Sequence, residues 1–256
     1  MKRFLMLVFV LALAGLMVAG CGGQKKKLVI GLDDNFPPMG FRDDKNVIVG
    51  FDIDLAKEAA KRLNMDVEFK PIDWNSKEVE LNSKRIDMIW NGLTVTEKRK
   101  ENILFSNPYM ENGQVIVVLA ASPIKTKADL AGKIVGTQEG SSSIDSMQKE
   151  PKVFNSLKEL KKYPDNIASF MDLTSGRVEA IVLDELVARY YITKKAKNPN
   201  EYRVLDESFA AEQMAVGMRK GDTELQGKLQ KVLDEMKKDG TSAKISQQWF
   251  GANLIK

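Results

Sequence analysis

The chain has 256 residues, 43% apolar and 29% charged, a composition that allows one large domain or two lobes of about 100 residues each. The formal net charge is +4, near +2 once Lys2 and Arg3 are set aside, and no basic stripe is interleaved with aromatics, so nucleic-acid binding is not expected. Histidine is absent and Cys21 is the only cysteine, which excludes histidine-dependent triads and general bases, His-rich zinc sites, intrachain disulfides and CxxC redox chemistry.

Met1-Lys2-Arg3 is a short cationic start, and Phe4 to Val18 is an apolar run broken only by Gly15. The run is too short for a membrane-spanning helix and has the pattern of a signal peptide. It ends in Val18-Ala19-Gly20-Cys21, which resembles the bacterial lipobox. That resemblance implies cleavage before Cys21 and a diacylglycerol on its thiol. Residues 1–20 are then a lipoprotein signal peptide and 21–27 a lipidated polar tether. Each buried methylene of a lipid chain adds about 0.8 kcal/mol, so two or three chains anchor a protein stably. The run Lys25-Lys26-Lys27 reads as solvated tether, with attraction to anionic lipid as the lesser alternative.

From Leu28 onward strands and helices alternate. Leu28-Val29-Ile30, closed by Gly31, predicts a strand. Leu55, Ala56, Ala59, Ala60 and Leu63 recur at helical spacing and predict an amphipathic helix over Asp52 to Leu63. Val67 and Phe69 alternate as in a strand, and Asn75 with Glu78 predicts a capping pair that opens the next helix. Strands are expected at Ile86 to Trp90 and Gln114 to Ala121, then a short helix at Ala128 to Ala131 and a strand at Ile134 to Gly136. A helix over Ser143 to Lys149 precedes one over Asp165 to Thr174, which Gly176 terminates. Val178 to Leu183 reads as a strand and Glu185 to Lys195 as a helix. A last long helix carries the stripe Leu225, Leu229, Val232, Leu233 and Met236, with Gly240 after it.

This alternation implies α/β architecture with largely parallel sheets, in which ligands sit beyond the carboxyl ends of the strands. The residues just after the strands are Asp33 to Phe36, Asn91 to Thr94, Gln138 to Ser143, and Asp184. All four segments are polar and poor in lysine. Gly-x-Gly-x-x-Gly and the Walker pattern are both missing. A small polar-ligand cleft is expected rather than a phosphate loop, with no cofactor and no metal.

Gly50-Phe51-Asp52-Ile53-Asp54-Leu55 is similar to the signature of the family 3 bacterial solute-binding proteins. Gly92-Leu93-Thr94-Val95-Thr96-Glu97-Lys98-Arg99, followed by Phe105-Ser106-Asn107-Pro108-Tyr109, resembles a second hallmark of that family, and Val182-Leu183-Asp184 and Trp249-Phe250-Gly251 fit it as well. The resemblance implies a type II periplasmic-binding-protein fold, two α/β lobes with mixed, mostly parallel sheets joined by two hinge segments. Lobe one would comprise residues 28–113 and 206–256, and lobe two residues 114–205. It further implies the substrate-binding subunit of an ABC importer for polar amino acids, monomeric, working with permease and ATPase subunits and not an enzyme. Two readings from other classes stand beside it: an enzyme like the cyclohexadienyl dehydratases on the same fold, which would need a protonated glutamate in the cleft, and a sensory or adhesion surface lipoprotein.

By the same resemblance Arg99 holds the carboxylate of the ligand through its planar fork and Asp184 holds the α-ammonium from the other lobe. Taken by themselves, Arg99 stands in a charge run and Asp184 suits a helix N-cap. Thr94 and Gly92 match positions that bond the ligand backbone, although Thr94 with Glu97 also fits a capping box. Ser141 and Ser142 open a helix whose free N–H groups suit a carboxylate, or simply cap it. Phe36 and Trp74 match side-chain packing positions, and Asp33 a position that holds a cationic side chain in some relatives. Asn91, Gln138 and Gln213 are further candidate contacts. Asn91 and Gly92 stand where receptors for basic amino acids often carry serines. Glutamine, cystine, a basic amino acid or another polar one all remain open as ligands.

Overall fold

Two five-stranded sheets carry the chain, and a computed structural model describes residues 26–256 of it. The segment expected to be a signal peptide and the expected lipidation site, Cys21, lie outside the described residues. In chain order the elements are β1 (Lys27–Leu32), β2 (Asn35–Phe36), β3 (Gly40–Arg42), β4 (Ile48–Val49), α1 (Phe51–Arg62), β5 (Asp66–Pro71), α2 (Lys77–Asn82), β6 (Met88–Ile89), α3 (Glu97–Lys100), β7 (Ile103–Phe105) and β8 (Met110–Leu119). There follow β9 (Ile134–Gln138), α4 (Ser142–Gln148), α5 (Pro151–Phe154), β10 (Glu159–Tyr163), α6 (Asn166–Thr174), β11 (Ala180–Asp184), α7 (Glu185–Tyr190), β12 (Tyr202–Met214), β13 (Gly217–Arg219), α8 (Thr223–Lys238) and α9 (Thr241–Phe250).

The first sheet has the order β5-β1-β6-β13-β7 and the second β10-β9-β11-β8-β12. In each, three strands run parallel and the other two pair antiparallel. The fold is therefore two α/β lobes with mixed sheets, as the βα rhythm implies. A small antiparallel sheet, β2-β3-β4, sits beside the first lobe. The chain leaves the first sheet through β8 and returns through β12. These two strands pair antiparallel from Met110 and Met214 to Leu119 and Tyr202, with register shifts between Val204 and Ala211. β-Bulges of this kind bend a strand and break its ladder locally.

The helices bury the stripes that their sequences lay out. Leu55, Ala56, Ala59 and Ala60 of α1 are buried, as are Leu229, Val232, Leu233 and Met236 of α8. Fully burying a large aliphatic side chain contributes about 1.5–3 kcal/mol, so these two stripes hold the C-terminal helices to the first lobe. In the second lobe, Ala180, Ile181, Val182 and Leu183 of β11 are at most 1% exposed, the mark of a central strand covered on both faces.

Several local expectations change. Asn75 and Glu78 do not cap α2. Instead Asp73 accepts from the Asn75 N–H at 2.9 Å and opens a 3-10 turn over Trp74–Ser76 ahead of the helix. The strand expected at Ile86 to Trp90 shrinks to Met88–Ile89, with Ile86 and Asp87 in the turn that leaves α2 and Trp90 at the start of the loop that follows. The short helix near Ala128 is a 3-10 turn, Lys127–Leu130. The helix from Glu185 converts to a π turn over Tyr191–Lys195. Among the described residues, no helix is long and apolar enough to cross a membrane.

Candidate functional site

The ends of β1, β6, β9 and β11 meet between the lobes, where parallel strands of both sheets terminate. Phe36, Trp74, Gly92, Thr94 and Arg99 from the first lobe and Gln138, Ser141, Ser142 and Asp184 from the second enclose a narrow cavity of about 10 Å³. Arg99 and Ser141 also face a wider groove, about 480 Å³, shared with Lys77, Glu139, Asp145 and Lys162.

Arg99 is the third residue of α3. Thr96, not Thr94, caps that helix, accepting from the Arg99 N–H at 3.2 Å. Thr94 is thereby free for other work, and its hydroxyl donates to Glu212 Oε2 at 3.0 Å. The Arg99 guanidinium donates to the Thr94 carbonyl at 2.9 Å and across the lobes to the Gly140 carbonyl at 3.0 Å. Lys77, 4% exposed, donates to the same Gly140 carbonyl at 2.9 Å, so two cations of the first lobe converge on one carbonyl of the second. Gly140 has φ +72, and a Cβ there would come 2.9 Å from Asn75 Cα in the opposite lobe. Only glycine satisfies both the backbone conformation and the approach.

Asp184 stands at the N-cap of α7 but makes no side-chain capping bond. Its carboxylate accepts from Asn112 and, at 3.1 Å, from Gln114, both on β8. Arg99 and Asp184 are each 5% exposed, and no described residue of opposite charge lies within ion-pairing distance of either. Burial, then the charge of Glu212, raises the Asp184 carboxyl to about 7 against the bonds from Gln114 and Asn112 and the attraction of Arg99. Burial lowers the Arg99 guanidinium from its ordinary value, opposed by Asp145, Glu212, Glu78 and Asp184. Lys77 is lowered to about 7, by burial first and then by the charge of Arg99.

Ser141 is the N-cap residue of α4 without a side-chain capping bond, and Ser142 begins that helix. Gly92 adopts φ +61 against Phe36, and its N–H donates to Asp52 Oδ2 at 2.6 Å. The rings of Phe36 and Trp74 lie nearly parallel, 12° apart with centroids at 6.5 Å. Asp33 stands one hydrogen bond behind the wall and Asn91 two. Asp33 accepts from Gln138 Nε2 at 2.7 Å across the lobes, and its N–H donates to Asn91 Oδ1 at 3.1 Å. Burial raises Asp33 to about 6, against the Asn35 N–H and Gln138. Gln213 is exposed and away from the cavity, and Glu139 lies only in the outer groove.

Four polar groups here have no counterpart in the sequence reading. Glu212 of β12 accepts from Thr94, Ser142, Ser146 and Gln114. Gln114 and Asn112 of β8 hold Asp184 in place. Asp52 of α1, fully buried, accepts from the Gly92 N–H and, at 2.9 Å, from the Tyr109 hydroxyl. Burial raises its carboxyl to about 7 against those two bonds. The sequence carries a signal for two of them. Asp52 lies three and four residues before Leu55 and Ala56, on the buried stripe of α1. Glu212 lies two residues before buried Met214, on the same face of β12. Among the described residues no cluster of His, Cys, Asp and Glu could hold a metal ion.

The profile of the bacterial extracellular solute-binding proteins, family 3, matches residues 28–252. The chain is 32% identical over 235 residues to the L-cystine-binding protein TcyJ of Escherichia coli K12, covering 91% of this chain and 86% of that one. It is 31% identical over 258 residues to the arginine-binding extracellular protein ArtP of Bacillus subtilis 168, covering 98% of each. A crystal structure of an ABC uptake transporter substrate-binding protein from Streptococcus pneumoniae with bound histidine superposes with a TM-score of 0.87 at 37% identity, over 90% of this chain and 94% of that one.

Proposed function

Because the chain belongs to family 3 of the bacterial extracellular solute-binding proteins, we propose that it is the substrate-binding subunit of an ABC importer, capturing a polar L-amino acid between its lobes. One observation carries this reading: a buried guanidinium, Arg99, and a buried carboxylate, Asp184, line one cavity from opposite lobes, and neither has an ion-pair partner among the described residues. An uncompensated buried charge is costly. The carboxylate and ammonium of one free amino acid would neutralise both, and its binding energy would favour the closed arrangement of the lobes. The protein then acts as a monomer that delivers its ligand to permease and ATPase subunits, tethered outside the cell membrane through the lipid on Cys21. It performs no chemistry on the ligand, in line with relatives named as binding proteins. A thermal-shift panel of the twenty amino acids and cystine tests it. At least one is expected to raise the melting temperature, since a ligand at a hundred times its Kd stabilises by about 2.7 kcal/mol. No shift with any of them would contradict the proposal.

Within the panel a basic amino acid, arginine first, is the expected ligand. Three carboxylates, Asp33, Asp184 and Glu212, and two cations, Arg99 and Lys77, form the cavity wall or are bonded directly to it. Their balance is one negative charge, which a ligand of net charge +1 cancels. The flat, near-parallel faces of Phe36 and Trp74 suit a planar guanidinium, and Asp33 with Gln138 offers acceptors at its end.

We place the hinge in β8 and β12, with residues 28–113 and 206–256 on one side and 114–205 on the other; the register shifts of β12 between Val204 and Ala211 support that position. Closure brings Gly140 against Asn75, so Gly140→Ala is expected to obstruct it. The variant should bind the panel's ligand at least tenfold more weakly, about 1.4 kcal/mol, and stay larger than wild type in solution scattering at saturation. Wild-type affinity and compaction would contradict this.

A further inference from the structure

Glu212 reaches the site from the hinge strand and gathers donors from both lobes. Its Oε2 accepts from Thr94 of the first lobe at 3.0 Å, from Ser142 of the second at 2.9 Å, and from the Gln114 amide at 2.9 Å. Its Oε1 accepts from Ser146 at 2.8 Å. The β12–β8 register pairs Glu212 with Asn112, which bonds Asp184, and Gln114 Nε2 reaches Asp184 and Glu212 alike. The two carboxylates thus stand side by side at one end of the cavity.

An ionised carboxylate only accepts, whereas a hydroxyl has one hydrogen and two lone pairs. With Glu212 as the common acceptor, the Thr94 hydrogen is committed to it. The Ser142 hydrogen goes to it or to Thr94 Oγ1 at 3.1 Å. Either way neither hydrogen points at the cavity, and what the two hydroxyls present beside Asp184 is lone pairs. An ammonium, with three donors and no acceptor, fits that surface, and a carboxylate is repelled by it.

We propose that Glu212 is a positioning residue that fixes which end of the amino acid binds at Asp184, by turning the Thr94 and Ser142 hydroxyls into acceptors. The inference rests on the amino-acid-binding reading above. It assigns Glu212 no direct contact with the ligand: the residue acts through the hydroxyls and adds a second negative charge beside the ammonium. Its place in the hinge makes the arrangement conditional on closure, because only then do Thr94 and Ser142 share one acceptor.

The test measures Kd by calorimetry for L-arginine and for its des-amino analogue 5-guanidinopentanoate, which keeps the carboxylate and side chain. Should glutamine prove to be the panel's ligand, the pair is L-glutamine and 4-carbamoylbutanoate. Glu212→Met removes the acceptor. It should weaken the amino acid roughly tenfold to a hundredfold, the size of one or two charge-assisted hydrogen bonds, and leave the analogue within about twofold, so that the preference for an α-ammonium collapses. Glu212→Gln can keep its carbonyl towards Thr94 and Ser142 and turn its amide to Ser146, so it should retain much of the preference. Equal weakening of both compounds by Glu212→Met would reduce Glu212 to a structural hinge residue and overturn the inference alone. A wild type that binds none of the amino acids would overturn the functional reading and this inference together. If Glu212→Met does not fold, Thr94→Val reports the same ratio without touching the hinge. A preference unchanged by that variant would also overturn the inference.

Discussion

Arg99→Ala is expected to weaken amino-acid binding by more than a hundredfold in calorimetry, with the fold intact. Arg99 is 5% exposed and donates only to backbone carbonyls, those of Thr94 and Gly140. A ligand carboxylate brings the opposite charge that none of the described residues supplies, and two parallel N–H bonds fit it to the planar fork. Removing the guanidinium leaves that carboxylate buried and unpaired, a loss of about 3–5 kcal/mol. Arg99→Lys should recover little, since a point charge does not reproduce the fork. The loss should fall on affinity rather than on melting temperature, because a buried cation without an anion stabilises the empty protein little. Arg99→Ala binding as tightly as wild type would remove Arg99 from the ligand's contacts.

Affinity should also fall with acidity, through Asp184. Its carboxyl is raised to about 7 in the ligand-free protein, by burial and by Glu212, so near neutrality about half the molecules carry a proton there. The ammonium of the ligand favours the ionised form and lowers that pKa, so binding expels the proton. Below about pH 7 the apparent affinity therefore drops, approaching about tenfold per pH unit, and above it the Asp184 contribution is flat. Asp33, at about 6, steepens the fall below that pH if the ligand carries a cationic side chain. Asp184→Asn should weaken binding at neutral pH by about 2–5 kcal/mol and flatten the profile through pH 7. Calorimetry between about pH 5 and pH 8 in buffers of different ionisation enthalpy reads both the affinity and the proton released. A slope unchanged in Asp184→Asn would assign the titration to another group.

Helix stripes and strand-end polarity were legible in the sequence wherever a segment's own periodicity decides its structure. The α1 and α8 stripes lie where spacing places them, and eight of the ten candidate site residues line one cavity, with Asp33 one hydrogen bond behind it and Asn91 two. Strand β12 was not legible from the pattern of its own residues. Most of its thirteen residues are exposed or half-buried, and its strand character comes from the ladder with β8, not from alternation of its own. For Glu212 the sequence offers only its two-residue offset from Met214, since its four donors come from three distant segments. Asp52 stands within the Gly50 to Leu55 signature, but the contact to the Gly92 N–H that explains a buried carboxylate on that helix is tertiary and leaves no local trace. The caps near Thr94 and Asn75 shifted by two residues because several polar residues compete locally for each helix start.

A crystal grown with the amino acid that gives the largest thermal shift tests the central claim most directly. The ligand carboxylate should sit about 3 Å from the Arg99 guanidinium, and its ammonium at the same range from Asp184 and Thr94. An amino acid bound elsewhere, or seated between the lobes with both charges turned away from Arg99 and Asp184, would contradict it.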